Sequence, residues 1–273
     1  MPELPEVETV VRALRRELAG RVVAGVRVLG KTRAVCDAKL AGKLSGLAIR
    51  SVRRRAKYIV IECDEGRGLL AHLGMTGAFR IEPADTPRRA HDRIVVRLEG
   101  GDELRYEDAR RFGFMKAFAA PPSGTELPEL ARLGLEPLER GFTQGALQTL
   151  AEKRRAPVKA FLMDQRFVVG VGNIYSSEAL FAAGVDPRRP AGSLTGDEWA
   201  RLVKEVRSVL RRALRSGGST IRSYRGVDGG EGGFQRRLKV YGRAGGPCPR
   251  CGAPVASVRQ CGRSTFFCPR CQA

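Results

Sequence analysis

Cys248-Pro249-Arg250-Cys251 and Cys268-Pro269-Arg270-Cys271 stand sixteen residues apart near the end of a 273-residue chain. Two C-x2-C pairs at this spacing can close a tetrahedral thiolate shell around one Zn2+. Each pair lies on a tight knuckle, and the residues between them suit a β-hairpin. So short a unit has little core, so metal binding must supply much of its folding free energy. Four sulfur ligands leave no open position, so the expected cofactor is one structural Zn2+ per chain. The finger is expected over residues 239–273. Cys36 and Cys63 read as small hydrophobes. Cys261 has no second free partner and is not counted as a ligand. Gly262 marks a turn, and Arg263 projects from the hairpin tip, either as a phosphate contact or as a solvated turn residue.

Upstream of the finger, residues 216–233 hold seven glycines with Ser and Asp, which reads as a long loop. Before it the pattern is helical, with candidates at 143–154, 157–165, 173–183 and 197–215. The last puts Trp199, Leu202, Val203, Val206, Val209, Leu210, Ala213 and Leu214 on one face. Pro121-Pro122-Ser123-Gly124 opens a linker over 121–142. Before the linker, the runs 22–29, 58–62, 69–73, 94–98 and 114–118 are strand-like and interrupted by Gly, Asp and Pro. Several short strands in about 100 residues predict an antiparallel sandwich. Residues 6–18 begin the chain as an amphipathic helix, with Val7, Val10, Val11, Leu14 and Leu18 inward. The expected class is α+β and multidomain. It has a helix-plus-sandwich domain over 1–120, a helical domain over 143–235, and the finger.

Composition narrows the partner. The chain carries 49 Lys+Arg against 29 Asp+Glu, a net charge of +20, with a pI near 10.5. Forty of those cations are Arg. The charge points to a polyanion: nucleic acid first, an anionic membrane surface or plain solubility as the other readings. At 42% hydrophobic residues the chain is not disordered, and no apolar run of about eighteen residues could span a bilayer. The start Met1-Pro2-Glu3-Leu4-Pro5-Glu6 is no signal peptide, so a cytoplasmic protein with reduced cysteines is expected.

That same start carries chemistry. Removal of Met1 leaves the secondary amine of Pro2 at the terminus. An α-amine loses its proton at about pH 8, against about 10.4 for Lys, and a helix start with nearby Arg lowers that further. A secondary amine attacking a sugar aldehyde carbon gives a cationic iminium, an electron sink for elimination. Glu3 and Glu6 could each supply an acid. Taken alone, the string reads first as a helix start with two carboxylates on its dipole.

The longer string Pro2-Glu3-Leu4-Pro5-Glu6-Val7-Glu8-Thr9 resembles the N-terminus of the formamidopyrimidine-DNA glycosylase family. The four-cysteine finger is similar to that family's own. The likeness continues in Arg55-Ala56-Lys57-Tyr58, His72-Leu73-Gly74-Met75-Thr76-Gly77 and Tyr106-Glu107-Asp108-Ala109-Arg110-Arg111-Phe112-Gly113. It resumes in Met163-Asp164-Gln165, Gly170-Val171-Gly172-Asn173-Ile174-Tyr175, Tyr241-Gly242-Arg243 and Cys271-Gln272.

The resemblance implies a bifunctional glycosylase and abasic-site lyase of bacterial base-excision repair, associated with the nucleoid through its DNA and acting as a monomer. Its substrate would be double-stranded DNA bearing 8-oxoguanine, formamidopyrimidines or abasic sites, nicked by β,δ-elimination. Pro2 would be the Schiff-base nucleophile, Glu3 the acid/base at the opening sugar and Lys57 the proton donor in β-elimination. Arg263 would contact phosphate and assist δ-elimination. Met75, Arg110 and Phe112 would fill the space left by the flipped base; by pattern alone Met75 and Phe112 read as core. His72, His91, Arg155, Lys159, Asn173 and Arg263 would meet phosphates. Asn173 would open the second helix of a helix–two-turn–helix, and the 216–233 loop would cover the extruded base. One rival is an endonuclease VIII-type enzyme for oxidised pyrimidines, against which Leu4 and Arg110-Arg111-Phe112 argue. The other is a non-catalytic zinc-ribbon DNA-binding protein, against which Pro2, Glu3 and Lys57 argue.

Overall fold

The computed structural model describes residues 1–29, 38–119, 127–219, 230 and 232–273. Cys36, the Pro-rich start of the linker and most of the glycine loop lie outside them. Contacts divide the chain into two units, Met1–Ala131 with Gly217–Gly233, and Arg132–Ser216 with Phe234–Ala273. Among the described residues no helix is long and apolar enough to cross a membrane.

The first unit opens with helix α1 (Leu4–Leu18), whose Val7, Val10, Val11, Leu14 and Leu18 are buried. Pro5 sits in its first turn, where a missing N–H costs nothing. Eight strands follow among the described residues: β1 (Val23–Val28), β2 (Ile49–Arg55), β3 (Tyr58–Cys63), β4 (Arg67–His72), β5 (Ala78–Pro83), β6 (Asp92–Leu98), β7 (Asp102–Glu107) and β8 (Phe114–Ala119). A short helix, α2 (Ala38–Gly42), lies between β1 and β2. The strands pair antiparallel into two four-stranded sheets, ordered β1-β6-β7-β5 and β2-β3-β4-β8. Val23, Phe79, Ile94, Val96, Leu104 and Tyr106 from one sheet share a core with Val52, Ile59, Ile61, Leu69, Ala71 and Met115 from the other. The buried face of α1 joins the same cluster. This is the expected sandwich, with Cys63 buried as a small hydrophobe.

Strands β2, β5 and β7 were not expected from the sequence, because their charges mask the alternation. On β7 the guanidinium of Arg105 is wholly buried. It donates to Glu103 (3.0 Å), Glu82 (3.1 Å) and the carbonyls of Pro83 (3.2 Å), Thr86 (2.8 Å) and Pro87 (3.3 Å). Buried charge is tolerated there because every donor is directed at an acceptor.

The second unit holds α3 (Gln144–Ala151), α4 (Val158–Met163), α5 (Asn173–Ala183), α6 (Gly196–Arg215) and a hairpin of β9 (Ala256–Gln260) and β10 (Arg263–Phe267). Helix α6 buries the expected face except for Leu214, which is half-buried in the last turn, and its N-terminus carries a capping box in which Glu198 accepts from Thr195 N–H (2.8 Å) and Thr195 from Glu198 N–H (3.3 Å). Helices α3 and α4 are shorter than expected. Lys153 adopts a positive φ just beyond α3. After α4 the Gln165 side chain captures the backbone: its amide donates to Met163 O (3.2 Å) and Val171 O (3.3 Å), and its carbonyl accepts from Gly170 N–H (2.9 Å). Those bonds fix the turns between α4 and α5. The mixed architecture with a C-terminal four-cysteine hairpin matches the expected class.

Candidate functional site

In the first unit Pro2 is buried, while Met1 before it is 47% exposed. Glu3 is buried as the N-cap of α1, and its N–H donates to Glu6 Oε2 (2.8 Å). The other oxygen of Glu6 accepts from Ser219 N–H (2.7 Å). Of the two carboxylates the sequence offered as acids, Glu6 is thus engaged through both oxygens, holding the helix start and the neck of the glycine loop. The Glu3 carboxylate is engaged in turn by the backbone of Glu6 in the reciprocal capping box.

Lys57 occupies the turn between β2 and β3, where Ala56 takes a positive φ of 54°. Its side chain is buried. Arg54 draws the turn toward α1, donating to Ala56 O (3.0 Å) and to Glu8 (3.1 Å). His72 lies across the ladder from Tyr58, packed between the rings of Tyr58 and Phe114. Its Nδ1 accepts from Gly74 N–H (3.0 Å), which leaves the ring proton on Nε2. Burial, and then the positive charge of Lys57, push its pKa down to about 4. At neutral pH His72 is therefore an uncharged donor.

Two loops at the same end of the sandwich carry Met75, Arg110 and Phe112. They touch backbone to backbone: a Cβ on Gly74, which has φ +58°, would lie 2.4 Å from Gly113 N. A Cβ on Gly113 would lie 2.1 Å from Tyr106 Oη. Only glycine permits this approach. Between Arg110 and Phe112, Arg111 takes φ +57°, and the Arg110 guanidinium lies 4.7 Å from the centroid of the Phe112 ring. Phe112 is 53% exposed and Met75 half-buried. The core reading of Phe112 from pattern alone fails, because its loop leaves the sheet before the ring. His91 is exposed, with Nδ1 3.3 Å from the Arg93 guanidinium.

The second unit collects Lys159, Asn173 and Arg263. Lys159 is buried on α4, and its ammonium donates to Asn173 Oδ1 (2.6 Å), Thr265 Oγ1 (2.8 Å) and Ser264 O (3.3 Å). Asn173, at the first turn of α5, also donates to Ser264 O (3.0 Å). One ammonium thus ties two helices to the finger hairpin. Arg263 follows the two-residue turn Cys261-Gly262, both residues with positive φ, and remains exposed. It lines a cavity of about 320 Å3 with Lys159, Met163, Asp164 and Gln260. Arg155 is exposed on the segment between α3 and α4.

The finger fits its metal. The four sulfurs of Cys248, Cys251, Cys268 and Cys271 lie within 4.8 Å of one another. The pairs Cys248–Cys271 and Cys251–Cys268 are 3.9 and 3.5 Å apart. A tetrahedron with Zn–S bonds of about 2.3 Å has edges of about 3.8 Å. The Arg250 N–H points at Cys248 Sγ (3.4 Å), as expected around a thiolate. Gln272 anchors the second knuckle, accepting from Cys268 N–H and donating to Val185 O, each 2.8 Å. One residue the sequence reading did not single out holds this unit together. Buried Glu178 on α5 accepts from the amides of Lys239, Val240 and Tyr241. Helix α5 is buried on nearly all sides, so a lone Glu among its small and apolar residues was the signal the sequence offered.

Comparison with known proteins accounts for this assembly. The N-terminal domain model of formamidopyrimidine-DNA glycosylase matches residues 1–115, its H2TH domain model residues 133–225, and a zinc-finger model shared with IleRS residues 245–273. The chain is 50% identical to the formamidopyrimidine-DNA glycosylase of Laribacter hongkongensis, covering all of both sequences. It is 44% identical to the crystallised MutM (Fpg) protein of Thermus thermophilus, covering 99% of this chain and 98% of that one with a TM-score of 0.87. A mutant Fpg of Lactococcus lactis in complex with Fapy-dG-containing DNA is 33% identical, with a TM-score of 0.91 and 99% of each chain covered. The chain belongs to the formamidopyrimidine-DNA glycosylase family, whose members are bifunctional glycosylases and abasic-site lyases of base-excision repair.

Proposed function

We propose that this chain removes oxidised purines, 8-oxoguanine and formamidopyrimidines, from double-stranded DNA through a Pro2 Schiff base and then nicks the abasic site by β,δ-elimination. After loss of Met1, the Pro2 nitrogen attacks C1′ as the base departs. Opening of the C1′–O4′ bond, with a proton going to O4′, turns that adduct into an iminium that acidifies the 2′-hydrogens; β-elimination then breaks the C3′–O bond and δ-elimination the C5′–O bond, so both flanking phosphates leave the sugar. Glu3 exchanges protons with the opening sugar, Lys57 donates the proton in β-elimination, and Arg263 holds phosphate during δ-elimination. His72, His91, Arg155, Lys159 and Asn173 hold the backbone, His72 as a neutral donor. The helical domain over 143–235 carries the duplex, and the 216–233 loop covers the extruded base. Zinc holds the hairpin that presents Arg263 and takes no part in the bond changes.

One observation carries the reading. Met1 and Phe112 are the exposed large hydrophobics among the described residues. One is removed to release the nucleophile; the other is an aromatic wedge for a duplex that must lose a base from its stack. The test is single-turnover excision on an 8-oxoguanine duplex and a thymine-glycol duplex in parallel. Faster excision of 8-oxoguanine, abolished by Glu3→Gln with binding retained, is expected. Preference for thymine glycol would favour the oxidised-pyrimidine enzyme, and cleavage of neither would leave a non-catalytic binder.

A further inference from the structure

We propose that Thr76 and Asp108 are positioning residues that lock the Met75 loop to the Arg110–Phe112 loop, so that the three side chains meet DNA as one preformed wedge. The proposal rests on the reading of those three residues as fillers of the vacated site.

Asp108 is 1% exposed and every polar atom it carries is used. One carboxylate oxygen accepts from the Thr76 hydroxyl, and the other accepts from Gly113 N–H (2.8 Å). Its own N–H donates to His91 O (3.0 Å), and its carbonyl accepts from Arg93 Nε (3.0 Å). The Thr76 hydroxyl closes the circuit by accepting from Arg110 N–H (3.1 Å). The phenol of Tyr106 donates to His72 O (3.3 Å) directly beneath. Thus the loop at 72–77, the loop at 108–113 and the segment at His91 converge on one buried residue, Asp108, the first two through its carboxylate and the third through its backbone. Asp108 and Tyr106 are buried and Thr76 is half-buried, and the bonds described here run within the protein.

The arrangement solves a physical problem. An exposed Phe ring and Arg side chain on a free loop would sample many orientations, and ordering them at the moment of insertion would oppose binding. Here Arg111 holds a backbone conformation that an L-residue adopts only when its surroundings enforce it. The enforcing groups are the Arg110 amide bond to Thr76 on one side and the Gly113 amide bond to Asp108 on the other. Arg110 and Phe112 are thereby turned toward one another into the observed cation–π pair. The entropy of ordering is incurred on folding rather than on DNA binding.

The test uses the full-length, zinc-loaded protein with Thr76→Val, which keeps the shape and removes the hydroxyl, and Thr76→Ser, which restores it. Thr76→Val is expected to slow single-turnover excision of 8-oxoguanine from a duplex about tenfold. Cleavage of a preformed abasic site, where unstacking is cheaper, should stay within about twofold. Thr76→Ser should recover both rates. Independently of activity, the Arg110 amide should be protected from hydrogen exchange in the wild type and lose protection in Thr76→Val. Where Thr76→Val folds poorly, Thr76→Ala removes the same hydroxyl without the added methyl. Equal slowing of both substrates, failure of Ser to restore, or unchanged Arg110 exchange each overturns the proposal. A wild-type protein inactive on both substrates would overturn the proposed function instead, and the exchange measurement would still decide whether the brace exists.

Discussion

Replacing Phe112 by Ala separates lesion extrusion from both folding and bond chemistry. The ring is 53% exposed and its main partner is the exposed Arg110 guanidinium. A fully buried Phe→Ala change costs about 3–5 kcal/mol, whereas an exposed cation–π contact contributes about 0.5–1 kcal/mol. The expected loss of stability is therefore about 1 kcal/mol, or a fall of about 2–4 °C in Tm. On a duplex, the ring occupies the gap that opens when a base leaves the stack, at a cost of a few kcal/mol. Losing about 2 kcal/mol of that compensation slows extrusion about thirtyfold. The assay is single-turnover cleavage, at one fixed salt concentration, of an 8-oxoguanine duplex and of the same duplex with a preformed abasic site. The first should fall about thirtyfold and the second by less than about threefold. Equal slowing of the two, together with a Tm drop above about 10 °C, would make Phe112 a core residue and refute the reasoning.

Complete chelation should release one zinc per chain and abolish tight DNA binding while the first unit stays folded; freshly purified protein without zinc, or unchanged affinity after chelation, would contradict this. His72 titrates near 4 in the folded chain and near 6.5 unfolded, so the unfolded state binds more protons between those values. Its contribution, up to about 3 kcal/mol, is complete above pH 6.5 and is lost as pH falls toward 4; urea unfolding at several pH values should show a shallower acid slope for His72→Gln than for the wild type. Gly74→Ala should cost about 2–4 kcal/mol, because the methyl would meet Gly113 N at 2.4 Å at a left-handed φ; an unchanged Tm would contradict the backbone contact.

Much of the fold is legible where hydrophobic period and burial coincide. Trp199 to Ala213 on α6 and Val7 to Leu18 on α1 read directly, and the cysteine spacing identifies the finger because four thiolates have few other uses. Strand β7 is not legible, since Asp102-Glu103-Leu104-Arg105 reads as a charged surface until the partners of Arg105 are seen. The same holds at the site. Pro2, Glu3 and Lys57 stand out only through the resemblance, since as isolated residues they describe a helix start and a basic turn. Glu6 accepts from the Ser219 amide, more than two hundred residues away, a bond that sequence spacing does not show. The bonds of Thr76 to Asp108 and to the Arg110 amide likewise join two loops more than thirty residues apart, which sequence spacing does not encode. The resemblance offers His72 as a phosphate contact, and only the fold shows that burial and the charge of Lys57 keep its ring neutral.

The central claim is that the amine of Pro2 becomes bonded to the sugar. Borohydride reduction during reaction with an 8-oxoguanine duplex, followed by proteolysis and mass spectrometry, locates that bond. The expected result is one DNA-bearing peptide beginning at Pro2 with Met1 absent, and no trapping by protein that retains an uncleaved N-terminal tag. Trapping at Lys57 or another lysine, or full trapping by the tagged protein, would contradict the account.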